Sequence, residues 1–250
     1  MTRNYKFTIS YDGSRYYGWE RQPDQPLTVQ GKIETVLDRM TGREGNEIIS
    51  AGRTDAGVHA LALTANAHLD TGLSPTEIRD YLNQYLPEDI CVKDVRIAGD
   101  RFHARYNCVG RTYRYTCYIG KLKPVFDRKY VYVPDRIPDI SRVREAAEIL
   151  IGRHDFGSFC ATPHMKKSTV RTVDLIDISV NNDLLTFTYH GDGFLRGMVR
   201  IMTGTLLEVG WGKRAPESMT ELLEARDRSL AGFTVPAKGL CLVEDEYNKG

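Results

Sequence analysis

Residues 3–11 alternate apolar and polar side chains, with Tyr5, Phe7, Ile9 and Tyr11 set against Lys6, Thr8 and Ser10. That is the period of a half-buried strand. In LTVQGKIETVLDRM, residues 27–40, Val29, Ile33, Val36, Leu37 and Met40 fall at helical spacing instead. A short strand over 47–50 follows, then a longer one over 59–69 (HALALTANAHL). SPTEIRDYLNQYL reads as a helix with Ser74 as its N-cap and Pro75 in its first turn. DICVKDVRIA, residues 89–98, is a strand. The order is βαββαβ.

The second half repeats it. GRTYRYTCYI is a strand, ISRVREAAEILIG a helix closed by Gly152, and VRTVDLIDISV with DLLTFTYH a hairpin across Asn181 and Asn182. FLRGMVRIMTGTLLEVG, residues 194–210, aligns Leu195, Met198, Val199, Met202, Leu206 and Val209 on one side of a helix. Arg196 and Arg200, one turn apart, are expected on its polar face. A short helix near ESMTELLEA and a last strand, GLCLVEDEY, complete the chain. These patterns predict an α+β protein of two ferredoxin-like modules, residues 1–104 and 105–250, each a mainly antiparallel sheet with helices on one face. A crevice between such modules is the natural place for a site.

At 250 residues and 41% hydrophobic content the chain buries a substantial core without staples. Five cysteines with no CxxC pair argue against a disulfide framework, and no run of about 18 apolar residues or signal-peptide core is present. A cytoplasmic protein without membrane contact is expected. The six histidines (His59, His68, His103, His154, His164 and His190) show no HExxH or paired Cys/His spacing, so no metal is expected. There is no GxxxxGK[ST] loop either, and HGDGFLRG follows a hairpin where a dinucleotide fingerprint would follow the first strand of a parallel βαβ unit. No cofactor is expected.

A formal net charge of +1 carries no signal for nucleic acid, but its distribution does. Between Arg101 and Tyr130 stand eight basic residues, including Arg105, Arg111 and Lys121, against the single acid Asp127. Tyr106, Tyr113, Tyr115, Tyr118 and Tyr130 are interleaved with them. Cations suit a phosphate backbone and aromatic faces suit unstacked bases. The same pattern also fits a strand whose aromatics face a core and whose arginines face water.

ISAGRTDAGVHA, residues 49–60, places Arg53 and Asp55 two positions apart among small residues. In extended backbone such residues point to the same side. GRTDAGVHA resembles the catalytic motif of the tRNA pseudouridine synthase A family, and the likeness extends over most of the chain. YDGSRYYGWERQPDQPLTVQGKIE, FHARYNCVGRTYRY, KKSTVRTV, GFLRGMVRIMTGTLLEVG and VPAKGLCL resemble family segments in the family's order. The resemblance implies the pseudouridine synthase fold, with a catalytic cleft between its two ferredoxin-like halves. It implies isomerisation of uridines 38, 39 and 40 in the anticodon stem-loop of tRNA, with base flipping and no nucleotide cofactor, by a homodimer. Carried over by position, Asp55 is the catalytic aspartate, Arg53 displaces the base, Tyr113 contacts the uracil and Arg200 pairs with Asp55. Arg105, Arg111 and Lys121 are expected along the RNA. Glu20 and Arg196-Gly197 depart from the family's usual residues, which leaves the substrate positions open. One alternative is a catalytically silent tRNA-binding or chaperone protein on the same scaffold. The other, a carboxylate hydrolase, ordinarily needs two acids flanking the scissile bond, and the motif supplies one.

Overall fold

The computed structural model describes residues 2–162 and 167–248. His164 and the first lysine of KKSTVRTV, Lys166, lie outside the described residues. The chain divides into two compact units, Met1–Val109 with Cys241–Gly250, and Gly110–Leu240. The last ten residues, expected with the second module, thus group with the first.

The first unit runs β1 (Thr2–Tyr11), α1 (Val29–Thr41), β2 (Ile49–Ser50), β3 (His59–Asp70), α2 (Pro75–Tyr85) and β4 (Ile90–Ile97). Its strands lie in the order β4-β1-β3, antiparallel, with β2 on the far edge of β3. That is the 4-1-3-2 order of a ferredoxin-like sheet, with its last strand cut to two residues. The shortened β2 leaves part of that edge open, and β9 (Leu240–Tyr247) pairs there in parallel, His59 opposite Cys241 and Ala60 opposite Leu242. Tyr5, Phe7, Ile9 and Tyr11 are buried as their alternation predicts, and α1 and α2 cover the sheet with Ile33, Leu37, Ile78 and Leu82. Both helices start where the chain provides a cap. Thr28 Oγ1 accepts from the Gly31 N–H, and Ser74 and Glu77 form a reciprocal capping box.

The second unit contains β5 (Cys108–Tyr118) from Gly110 onward, α3 (Ile140–Leu150), β6 (Gly152–Asp155), β7 (Val170–Asn181), β8 (Leu184–Gly191), α4 (Met198–Gly210) and α5 (Ser218–Ala225). Its antiparallel order β5-β8-β7-β6 repeats the 1-3-2 part of the first sheet and adds β6 outside it. The β7–β8 turn sits at Asn182–Asp183, one residue later than expected, with Asn182 in the left-handed conformation (φ 51) that asparagine tolerates. Helix α4 is buried on nearly every side, and its Thr203 and Thr205 hydroxyls donate to the Val199 and Ile201 carbonyls. It begins at Met198 rather than Phe194, because Gly197 at its N-cap adopts φ 70. Arg196 therefore precedes the helix, in a loop where its carbonyl accepts from Ala161 N–H. It does not share a helical face with Arg200 as the spacing predicted. No helix of the described residues is long and apolar enough to cross a membrane.

Candidate functional site

The loop that carries Arg53 and Asp55 leaves the sheet after β2 and returns at β3. Its entry is held by the Ala51 N–H on the Thr64 carbonyl (2.8 Å) and by Ser50 Oγ on the Gly52 carbonyl (2.8 Å). Thr54 turns inward, where its hydroxyl shares a 2.8 Å hydrogen bond with the Tyr11 phenol in a buried setting. Arg53 on one side of it is exposed, and Asp55 on the other is half-buried. Asp55 then opens a tight turn, its carbonyl accepting from Val58 N–H at 3.2 Å across Ala56-Gly57.

A second segment grips this loop from outside the motif. Trp19 N–H donates to the Thr54 carbonyl (3.2 Å), Gly57 N–H donates to the Tyr16 carbonyl (3.2 Å), and Gly13 N–H donates to His59 Nδ1 (3.0 Å). The grip depends on close backbone approach. Gly18 has φ 98, and a Cβ there would stand 2.7 Å from the Thr54 carbonyl oxygen. Residues 12–19 are anchored in turn, by Tyr16 Oη on Asp89 Oδ1 (2.5 Å), by Asp12 N–H on the Asp89 carbonyl (2.9 Å) and by the buried Trp19 ring beside Tyr11. Burial and the Asp89 carboxylate push the Tyr16 phenol far above its ordinary range, so it stays a donor at all physiological pH. YDGSRYYGW and GRTDAGVHA, about forty residues apart, thus form one structural object.

Arg53 Nη2 pairs with Glu20 Oε1 at 2.6 Å, both side chains about half exposed. The other expected residues lie elsewhere. Arg105 is exposed on the turn that follows β4, also in the first unit. Tyr113, Arg111, Lys121 and Arg200 belong to the second. On β5 the inward residues are Tyr113, Tyr115 and Cys117, while Arg114 is exposed. Tyr115 is wholly enclosed, its hydroxyl donating to the Pro236 carbonyl at 2.9 Å, so this tyrosine serves the core and not a base. Tyr113, 8% exposed, lies edge-on to Phe194 with ring centroids 5.4 Å apart. Arg200 Nε donates to the Val235 carbonyl (2.9 Å), which orients its guanidinium. Lys121 is exposed on the loop after β5.

Sequence reading missed one neighbour of Arg111. From the Cβ position of Gly193, Arg111 Nη1 and Arg171 Nε stand 3.8 and 3.7 Å away. Arg171 is held there by its own segment, Nη1 donating to the carbonyls of Ser168 (3.0 Å) and Val170 (2.6 Å). The only acid next to Gly193 in the chain, Asp192, accepts from Thr172 N–H (3.0 Å). Arg171 stands in KKSTVRTV, but a lone strand arginine gives no sign of which cation it will face. Among the described residues no three His, Cys, Asp or Glu side chains gather to hold a metal ion.

The tRNA pseudouridine synthase family model matches residues 8–107 and 146–248. A tRNA pseudouridine synthase A of Bacillus sp. (strain KSM-64) is 46% identical over 96% of this chain and 97% of its own length. Clostridium tetani (strain Massachusetts / E88) has a tRNA pseudouridine synthase A 1 that is 44% identical over 98% of this chain and all of its own. A chain of a solved Cbf5-Nop10-Gar1 complex aligns with 82% of this chain and 45% of that one, at 12% identity and a TM-score of 0.36, and adds nothing to the topology above. This chain belongs to the tRNA pseudouridine synthase family.

Proposed function

We propose that the protein isomerises uridine to pseudouridine in tRNA, at positions 38, 39 and 40 of the anticodon stem-loop, with Asp55 as the essential carboxylate. Family membership supports the reaction. The observation that carries the residue assignment is the gripped loop, which holds Asp55 on a backbone tied at Thr54, Asp55 and Gly57. In the reaction the N1–C1′ bond breaks, the uracil turns, and a C5–C1′ bond forms. The C5 proton is lost and N1 gains one, so the composition is unchanged and no oxidant or hydrolytic water is consumed. A carboxylate serves this either by adding covalently to the nucleoside or by acting at the sugar in an elimination that leaves a glycal.

A stacked target must first leave its helix, at a cost of a few kcal/mol. Arg53, exposed two residues before Asp55, is suited to occupy the vacated space and hold a phosphate. The roles carried over for Tyr113 and Arg200 belong to the same proposal, as do RNA contacts by Arg105, Arg111 and Lys121. So do a homodimeric state, which rests on the resemblance, and a cytoplasmic location, which rests on five cysteines without a CxxC pair.

The test is to incubate the purified protein with an unmodified tRNA transcript and map pseudouridine by position. We expect modification confined to 38–40, and its loss in Asp55→Asn with tRNA affinity kept within a few-fold, because phosphate contacts dominate binding. Turnover by Asp55→Asn, once deamidation to aspartate is excluded, removes Asp55 from the mechanism. A wild-type protein that binds tRNA and leaves every uridine intact is the silent binder.

A further inference from the structure

Residues 99–107 lead out of the first unit's sheet, and their base is fixed by buried asparagines. Asn4 Nδ2 donates to the carbonyls of Gly99 (2.9 Å) and Phe102 (2.8 Å), Asn66 Oδ1 accepts from Ala104 N–H (2.8 Å), and Asn66 Nδ2 donates to Asn4 Oδ1 (3.0 Å). Tyr247 Oη adds a bond to the Ala104 carbonyl (2.7 Å). Above this base the turn locks onto itself. His103 N–H donates to Asn107 Oδ1 (2.7 Å) and Asn107 N–H to the His103 carbonyl (3.0 Å). His103 Nδ1 accepts from the backbone N–H of both Arg105 (3.2 Å) and Tyr106 (3.3 Å).

The product of this bracing is one aromatic ring held in water. Tyr106 is 80% exposed, with the His103 ring behind it, centroids 4.1 Å apart and planes inclined by 31°. Folding gains little from so exposed a ring, yet two buried amides and a histidine fix its position. Arg101 and Arg105, both exposed, precede it in the chain by five residues and one, and a hollow lined by Arg101, Phe102, Asn107, Tyr247 and Asn248 opens on the same segment. An exposed flat face on a segment that carries two exposed cations suits a ligand with both π surfaces and negative charge.

We infer that Tyr106 is a stacking platform for an unpaired base of the tRNA, with Arg101 and Arg105 taking the phosphates on either side of that nucleotide. The inference rests on the proposed function for its ligand and adds a contact to a base other than the isomerised one. The bracing sets the ring before RNA arrives, so little conformational freedom is lost on stacking.

The experiment compares wild type, Tyr106→Leu and Tyr106→Trp for tRNA affinity across a salt series, with melting temperature as the folding control. It also uses transcripts carrying 2-aminopurine at one unpaired position at a time. Tyr106→Leu should weaken binding at least about five-fold, the low end of one base–aromatic stack. Its salt slope should not change, since the substitution removes no charge. Arg105→Ala should instead lower that slope by about 0.7 to 0.9. Tyr106→Trp should bind within about two-fold of wild type, and one 2-aminopurine position should be quenched by wild type and not by Tyr106→Leu. Unchanged affinity in Tyr106→Leu, equal weakening in the Leu and Trp variants, or a change in self-association in place of RNA binding each overturns the platform. These readouts are of binding, so a wild-type protein that stacks the base but makes no pseudouridine refutes the proposed function and leaves the platform standing.

Discussion

Two loops carry cations expected to meet RNA, residues 52–58 in the first unit and residues 119–130 in the second, and they are built in opposite ways. The first takes hydrogen bonds from β1, from the 12–19 segment and from Ser50 of β2. The second is tied at its start by Ile119 N–H on the Asp183 carbonyl and beyond that has bonds within itself. Val125 N–H reaches the Lys123 carbonyl, Arg128 Nη1 the Val125 carbonyl, and Lys238 supplies an outside bond at the Arg128 carbonyl. It leaves Leu122 80% and Phe126 91% exposed among Lys121, Lys123, Arg128 and Lys129. A group that must meet one glycosidic bond has to be placed to a fraction of an ångström. Cations that neutralise a polyanion need only be near it.

If the contrast is right, disturbing the grip on the first loop should cost the most. Gly18→Ala adds a methyl group 2.7 Å from the Thr54 carbonyl and forces alanine to φ 98. Strain of that kind costs roughly 1–3 kcal/mol before the clash is counted. We expect a melting temperature lower by about 5 °C or more, and a kcat lower by about a hundred-fold at temperatures where the variant is still folded. Binding of tRNA should change little. A variant with wild-type kcat would show that Asp55 does not depend on the 12–19 segment for its position.

The second loop should respond the other way, in binding and not in stability or rate. Lys121→Glu with Lys123→Glu leaves the core untouched, so the melting temperature should stay within a few degrees and kcat at saturating tRNA near that of wild type. Affinity should drop about ten-fold or more, with a shallower salt dependence, by about 0.7 to 0.9 in slope for each phosphate no longer neutralised. Unchanged affinity and slope would assign these lysines to solvent and move the RNA path elsewhere.

Local chemistry made much of this legible in advance. Ser74 and Pro75 announce α2, and the alternation of Tyr5, Phe7, Ile9 and Tyr11 announces β1, because cap and pleat act within a few residues. The Arg53–Asp55 pair was visible as a motif. What holds it was not, since the bond between Thr54 and Tyr11 and the approach of Gly18 join positions 36 or more residues apart. The same holds for β9, whose residues read as a strand without saying that β3 would be its partner, and for Arg171, which comes near Gly193 together with Arg111 because β5 and β7 both pair with β8. The interleaved tyrosines left two readings open for a different reason. Composition cannot tell the two faces of a strand apart, and on β5 the alternation sends Tyr115 inward while Tyr106, before the strand begins, stays outside.

The smallest expected effect concerns Glu20, where the two design rules meet. Its carboxylate lies 2.6 Å from Arg53 at a position fixed by Trp19 N–H on the Thr54 carbonyl, so it belongs to the gripped loop; yet the pair is about half exposed, so it behaves as a surface charge. Exposed ion pairs contribute about 0–1 kcal/mol. Glu20→Gln should therefore leave the melting temperature within about 2 °C. It also removes a negative charge from beside a cation proposed to hold a phosphate. Affinity for tRNA should rise modestly, by up to about three-fold at low salt and less as salt screens the charge, with kcat unchanged. Were kcat instead to drop ten-fold while KM held, the carboxylate would be orienting Arg53 for the reaction, and Glu20 would count with the fixed loop and not with the surface charges.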